Sequence, residues 1–226
     1  MLLLAIDTSA KQGSLALARA GERADDSNDL DMIEVLPLAG GTFSARLVPQ
    51  IAALLSSHGF TKHDIGAFTV ASGPGSFTGV RIGLAAVKAL AEGLGKPIAA
   101  VSLLEACAFA SRARGRVMAL LDAGRGEVYV GEYEIPTRTG QSPRERILNK
   151  DELLAQAQDW TVVTPDPVLA DAVGGAGLCA RRLAPISAAT VASLGWRKIQ
   201  SGDIVTPEQL EANYIRRTDA EDAREK

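Results

Sequence analysis

The sequence predicts an α/β protein built twice over, each half a mixed sheet flanked by helices. Three observations carry that expectation. An apolar run at residues 2–6 ends on Asp7 and, after a polar turn, resumes at 14–19, the pattern of a β-hairpin. A strand, tight turn and helix follow over residues 65–93, and a further strand over 97–101. A second apolar run, 117–122, again ends on an aspartate and again returns, through 127–133, before another series of helix and strand segments. Antiparallel hairpins beside parallel βα units make mixed sheets with helices on their faces. Two such halves side by side are expected to enclose a ligand cleft.

The bulk properties fit a globular chain of this kind. Its 226 residues are 46% hydrophobic and 23% charged, ample for a core and unlike a disordered chain. A net charge of −3 argues against broad, non-specific nucleic-acid binding and leaves room only for a local basic patch. Aromatic residues make up 4%, so stacking platforms for bases are few. Cys107 and Cys179 are distant, form no C-x-x-C and lie among apolar residues, so both read as buried free thiols. The opening apolar run is too short for a signal peptide, and no run reaches membrane-spanning length. The expectation is a soluble, cytoplasmic protein.

Taken in order, residues 21–31 are acidic and unpatterned and read as a loop, and 32–38 as the third strand. From Ser44, residues Leu47, Val48, Ile51, Leu54 and Leu55 keep helical spacing up to Gly59, with Pro49 expected to kink this helix or delay its start. Ser102 opens an alanine-rich helix to about Ala113. Residues 136–144 read as loop, 151–158 as a short helix, 161–164 as a strand, and 168–173 and 187–200 as helices. In the polar tail beyond, Leu210, Tyr214 and Ile215 are placed to dock. The division expected is an N-terminal lobe over 1–103 and a C-terminal lobe over 104–226, with the final helix packing back on the first lobe.

The segment around which the chain is organised is Gly73-Pro74-Gly75-Ser76 and the helix it opens. Proline fixes φ, glycine tolerates positive φ, and Ser76 is placed to accept from a free N–H of the first turn. The charges of this helix, Arg81, Lys88 and Glu92, share one narrow stripe, and the rest is apolar or tiny. A helix lying on one sheet needs only one apolar face. This one offers two. Either it is buried within its own domain, or one face meets the chain's own sheet and the other a second protein, whose backbone would approach at Gly79 and Gly83.

These residues resemble one family. Leu4-Ala5-Ile6-Asp7-Thr8-Ser9, the run from Gly73 to Gly83, Gly95-Lys96-Pro97, Val101-Ser102-Leu103-Leu104-Glu105-Ala106, the run from Leu121 to Tyr129 and the tail Tyr214-Ile215-Arg216-Arg217 are similar to the TsaB, or YeaZ, family. The resemblance spans nearly the whole chain in order. It departs at Phe43-Ser44-Ala45-Arg46, where the family often has a His-Ser-Glu-Arg-like run. The resemblance implies a duplicated fold of the actin, sugar-kinase and Hsp70 type (ASKHA, RNase H-like). It also implies a role in threonylcarbamoyl transfer to N6 of adenosine 37 in tRNAs that read ANN codons. The chain would be the non-catalytic partner of the paralogous TsaD, joined by the ATPase TsaE, with ATP bound mainly by those partners and no cofactor of its own.

Two sites and three function classes follow. The docking helices are 44–57 and 76–93, with Leu47, Ile51, Leu54, Gly79, Val80, Gly83, Ala86, Val87 and Leu90 at the interface, and Gly79→Leu or Gly83→Leu is expected to disrupt pairing. Without its partner the same surface favours a homodimer. Asp7, Thr8, Ser9, Gly73, Pro74, Gly75 and Ser76 form a candidate relic nucleotide cleft, a carboxylate for Mg²⁺ and free N–H groups for phosphate. The alternative, turns that merely hold the first strand against the main helix, stays open. A scaffold subunit and an autonomous ATP-dependent transferase or kinase both remain. A metallopeptidase is disfavoured, because His58 and His63 lie five apart across Gly59 and form no H-E-x-x-H. Arg112, Arg114 and Arg116, and separately Arg216 and Arg217, are basic clusters whose commoner explanation is a solvated face.

Overall fold

The computed structural model describes residues 1–21, 30–41, 43–136 and 143–215. The acidic stretch 22–29, most of the expected loop at 136–144, and Arg216 and Arg217 lie outside the described residues. The chain forms two compact units, one of Met1–Leu103 with Ile186–Ala212, the other of Leu104–Pro185 with Asn213–Lys226. A single cut at residue 103 therefore does not separate them.

The first unit holds strands β1 (Leu2–Asp7), β2 (Gly13–Ala20), β3 (Leu30–Leu38), β4 (Ile65–Gly73) and β5 (Ile98–Ser102), in sheet order β3-β2-β1-β4-β5. β1 pairs antiparallel with β2 and parallel with β4, so the sheet is mixed as expected. Helices α1 (Phe43–Ser57) and α2 (Phe77–Leu94) belong to this unit, as does the much later α6 (Ala188–Gln200).

Why β1 is a continuous apolar run becomes clear from its two faces. Leu2, Leu4 and Ile6 join Leu15, Leu17, Phe68 and Val70 in one core with Leu47, Ile51, Leu54, Val80 and Val87 of the two early helices. Leu3 and Ala5 point the other way and, with Ala16, Ala18 and Ala67, meet Ala188 and Ala192 of α6. A strand covered on both sides needs no polar alternation. The second face is mostly alanine, so α6 lies close: a Cβ at Gly195 would fall 2.6 Å from the Cβ of Thr69. Ser14 fixes its entry, its hydroxyl accepting from the Ala188 N–H at 2.8 Å.

The second unit repeats the plan. Its strands are β6 (Gly115–Gly124), β7 (Glu127–Ile135), β8 (Arg144–Asn149), β9 (Thr161–Thr164) and β10 (Ala180–Arg182), in order β10-β9-β6-β7-β8, with α3 (Leu103–Ala110), α4 (Lys150–Gln156) and α5 (Pro167–Gly175). Read in chain order, the pairings match the first unit strand for strand. The duplication is therefore complete, with a third hairpin-side strand in each half.

Several expectations need correction. β8 and β10 were not legible: β8 is a charged edge strand of which only Leu148 is buried, and β10 is three residues long, formed only by pairing with β9. Leu30 and Asp31 belong to β3 and not to a loop. α3 stops at Ala110, three residues before the expected end. Pro49 neither delays nor ends α1; it sits at an exposed position, where water can satisfy the carbonyl its missing N–H leaves free. In the tail Leu210 does dock, with 1% exposure in the first unit's core, whereas Tyr214 is exposed.

Candidate functional site

The two halves of the expected nucleotide cleft meet, and they meet as a packed seam. β1 delivers Asp7 to its end almost wholly buried, at 3% exposure. One carboxylate oxygen, Oδ1, accepts from both the Ser9 N–H at 2.9 Å and the Ser9 hydroxyl at 2.5 Å. Burial pushes the carboxyl above the ordinary carboxylate range, against the downward pull of those two hydrogen bonds. The Thr8 hydroxyl donates to the Gly79 carbonyl at 2.7 Å, and the Ser76 N–H donates to the Ser9 carbonyl at 2.7 Å.

Glycine makes this approach possible. Gly79 and Gly83 lie four residues apart and so share one face of α2, and Gly75 lies just before its Ser76 cap. A Cβ at Gly75 would lie 2.7 Å from the Ser9 carbonyl oxygen, and one at Gly83 would lie 2.5 Å from the Thr8 hydroxyl. One at Gly79 would overlap the Thr8 carbonyl oxygen outright. Gly73 takes φ +111°, which turns the chain from β4 towards Pro74 and Ser76. Ser76 caps α2 as expected, accepting from the Gly79 N–H at 3.3 Å. The N–H groups of Ser76 and Gly79 are thus already engaged within the chain. An anion at this helix start would compete with Ser9 for the first of them, and a cation at Asp7 would need the charged form that burial disfavours.

The duplication offers a control. Asp122 ends the same stretch of β6 as Asp7 does of β1, but it is exposed, its Oδ1 accepting from the Gly124 N–H at 2.9 Å. Only the first copy is buried beneath a glycine-faced helix.

The expected interface is largely inverted. Leu47, Ile51, Leu54, Gly79, Val80, Gly83 and Val87 are buried in the first unit's own packing; only Ala86 and Leu90 are partly exposed. The backbone that approaches Gly79 is the chain's own Thr8, so Gly79→Leu and Gly83→Leu would disturb the fold before any partner. What α2 leaves uncovered is a neighbouring band. Ala85, Ala89 and Gly93 are exposed, Ile82, Ala86 and Leu90 half-buried, and Phe77 at the helix start is 46% exposed with Arg81 stacked on its ring at 3.7 Å. On α1, Val48 is 55% exposed. The charges carry the signal for this band: Arg81, Lys88 and Glu92 mark the outward side of α2, and the exposed apolar residues lie beside them.

Other candidates fall as follows. The His58 ring shares a hydrogen bond with Glu34 at 2.6 Å, and His63 lies on an exposed turn. Among the described residues no group of three or more histidine, cysteine, aspartate or glutamate side chains is placed to hold a metal ion. Cys107 is buried, its thiol pushed up to about 12 by that burial, but Cys179 is exposed, contrary to expectation, on the segment between α5 and β10. No helix among the described residues is long and apolar enough to cross a membrane.

Comparison with known proteins places this arrangement. A family model described as TsaD, tRNA N6-adenosine threonylcarbamoyltransferase, matches residues 37–161. The chain is 38% identical over 135 residues to the tRNA threonylcarbamoyladenosine biosynthesis protein TsaB of Bacillus subtilis, covering 59% of this chain and 56% of that protein. It is 37% identical over 137 residues to the TsaB of Escherichia coli, covering 59% and 55%. The match thus spans little more than half the length of these curated relatives. Among solved structures, YeaZ from Pseudomonas aeruginosa superposes with a TM-score of 0.67 at 27% identity, over 95% of this chain and all of that one. A Pseudomonas aeruginosa protein described as similar to peptidase YEAZ gives 0.68 at 28% identity, over 95% and 99%. With two duplicated mixed-sheet units, the glycine-faced seam and a family model matching more than half its length, the chain has the ASKHA, RNase H-like fold and belongs to the TsaD-type threonylcarbamoyltransferase family, within it to TsaB/YeaZ.

Proposed function

We propose that the chain acts in tRNA threonylcarbamoyladenosine biosynthesis as the non-catalytic partner of the paralogous TsaD. In this reading the two pair as a heterodimer, the ATPase TsaE joins them, and the assembly transfers threonylcarbamoyl to N6 of adenosine 37 in ANN-decoding tRNAs. ATP is held mainly by the partners, and the work is done in the cytoplasm. The supporting observation is the uncovered band of α2. Ile82, Ala85, Ala86, Ala89, Leu90 and Gly93 follow helical spacing on a surface already backed by a complete core. Small residues on a supported helix let a second helix pack closely. Alone, the band would favour a homodimer through the same helices.

A drop-out reconstitution tests the reading. Threonylcarbamoyl transfer to tRNA is measured with the catalytic paralogue and its ATPase, with and without this chain. Transfer that needs the chain, while the chain alone neither hydrolyses ATP nor modifies tRNA, is expected. Full transfer without it would remove the scaffold reading. ATP turnover by the isolated chain, abolished in Asp7→Asn, would favour the alternative of an autonomous ATP-dependent transferase. Ala85→Glu with Ala89→Glu locates the interface: co-elution with TsaD should be lost while the melting temperature stays within the range of ordinary surface changes, roughly 0.5 kcal/mol each.

A further inference from the structure

We propose that the arginine-bearing turn between α3 and β6 is a contact surface for the phosphodiester backbone of an RNA. The inference rests on the proposed role in tRNA modification and adds to it a direct contact by this chain. Arg112, Arg114 and Arg116 fall within five residues of a chain whose net charge is −3, and all three are exposed. Between them Ala113 is buried and Gly115, the first residue of β6, takes φ +81°, so the chain bends while Arg112 and Arg114 of the turn and Arg116 at the start of β6 stay outside.

The backbone that carries them is held from several sides. The Ser111 hydroxyl donates to the Ala108 carbonyl at 2.7 Å and accepts from the Ala113 N–H at 3.1 Å. From β10, the Arg181 guanidinium reaches across to donate to the Ser111 carbonyl at 2.7 Å. Within this frame Arg112 is kept at φ 51°, a conformation that glycine takes freely and a long side chain does not. A strained arginine at the surface of a pinned turn is a feature that packing alone does not call for.

Counter-charges are sparse. Among the described residues Arg112 and Arg114 make no ion pair, and Arg116 has only Asp159, at 3.8 Å between two exposed side chains. Such a pair yields readily to a stronger anion. The Arg116 guanidinium instead stacks on the Trp160 ring at 4.3 Å, which orients its N–H edge. Guanidinium forks suit phosphate oxygens, and contacts of this type position a nucleic acid without reading its sequence.

The test uses the reconstituted complex with full-length chain, and tRNA binding is followed across a salt series. Replacing Arg112→Gln, Arg114→Gln and Arg116→Gln together should flatten the slope of log affinity against log salt by about 2–3, at roughly 0.7–0.9 per lost phosphate contact. Arg112→Gly keeps the turn favourable to fold: it should raise the melting temperature while flattening the slope by roughly 0.7–0.9. Unchanged slopes in both variants would overturn the proposal. So would loss of co-elution with the partner proteins at an unchanged tRNA slope, which would make the turn a protein interface. If the wild-type chain does not support transfer, this inference falls with the proposed function. If wild type supports transfer and the triple variant keeps the wild-type slope, only the arginine surface falls.

Discussion

Replacing Gly79 by alanine puts the seam between β1 and α2 to a direct test. The added methyl would sit far inside the 3.0 Å that real Cβ contacts essentially never breach, against a backbone carbonyl that cannot rotate away. α2 would have to withdraw, and the Thr8 hydroxyl would then lose the Gly79 carbonyl it holds at 2.7 Å. Overpacking of this kind costs roughly 1–3 kcal/mol, and the buried hydrogen bond about 1 kcal/mol more. Alanine's better helix propensity returns about 1 kcal/mol. The net expectation is destabilisation by roughly 1–3 kcal/mol, or a melting temperature lower by about 3–10 °C for a chain of this size. Gly93 on the same helix is the control, because a Cβ there meets nothing within 4 Å. Gly93→Ala should gain roughly 0.5–1 kcal/mol. The assay is thermal unfolding of the isolated chain, followed by circular dichroism. If Gly79→Ala melts at or above wild type while disturbing only partner binding, the close approach to Thr8 is wrong and the glycine belongs to an interface.

Three further outcomes are expected. The Thr69 hydroxyl is buried with no hydrogen-bond partner, so Thr69→Val, which preserves shape, should stabilise the chain by about 1 kcal/mol in chemical denaturation. Asp7, with its carboxyl raised by burial, binds its proton more readily folded than unfolded. Its contribution to stability is therefore fullest below the ordinary carboxylate range and is lost as pH rises through the raised value; Asp7→Asn should flatten that part of a stability–pH profile, and an unaltered profile would count against the buried acid. With a thiol reagent at neutral pH, Cys179 should react at once and Cys107 only after unfolding, whereas two fast thiols would contradict the burial of α3.

How far sequence reaches depends on where each element's information lies. β1, β4 and α2 carry their own pattern, since a strand buried on both faces or a helix capped by Ser76 is written in consecutive residues. β8 is not, because its charged residues make sense only beside β7: the Tyr133 hydroxyl donates to Glu145 at 2.6 Å, and Arg146 pairs with Glu132. The candidate site shows the same limit. Asp7 and the Gly73–Ser76 turn were recognisable as a unit, yet which surface the glycines of α2 face depends on Thr8, seventy-one residues earlier than Gly79. Small residues announce a close approach without naming the partner. The exposure of Cys179 was hidden likewise, its apolar neighbours being parts of a short edge segment and not of a core.

The placement of α6 has a consequence for how the chain is made. The first unit's sheet is finished at Ser102, but the helix that covers Leu3, Ala5, Ala16 and Ala18 ends only at Gln200, after every strand of the second unit has been laid down. At a synthesis rate of roughly 5–20 residues per second, that alanine-lined face waits about 5–20 seconds on the ribosome without its lid. Small side chains bury little area and so attract little unwanted company in that interval. The choice of alanine over leucine on this face thus serves both the finished packing, where it lets α6 lie close, and the wait that precedes it.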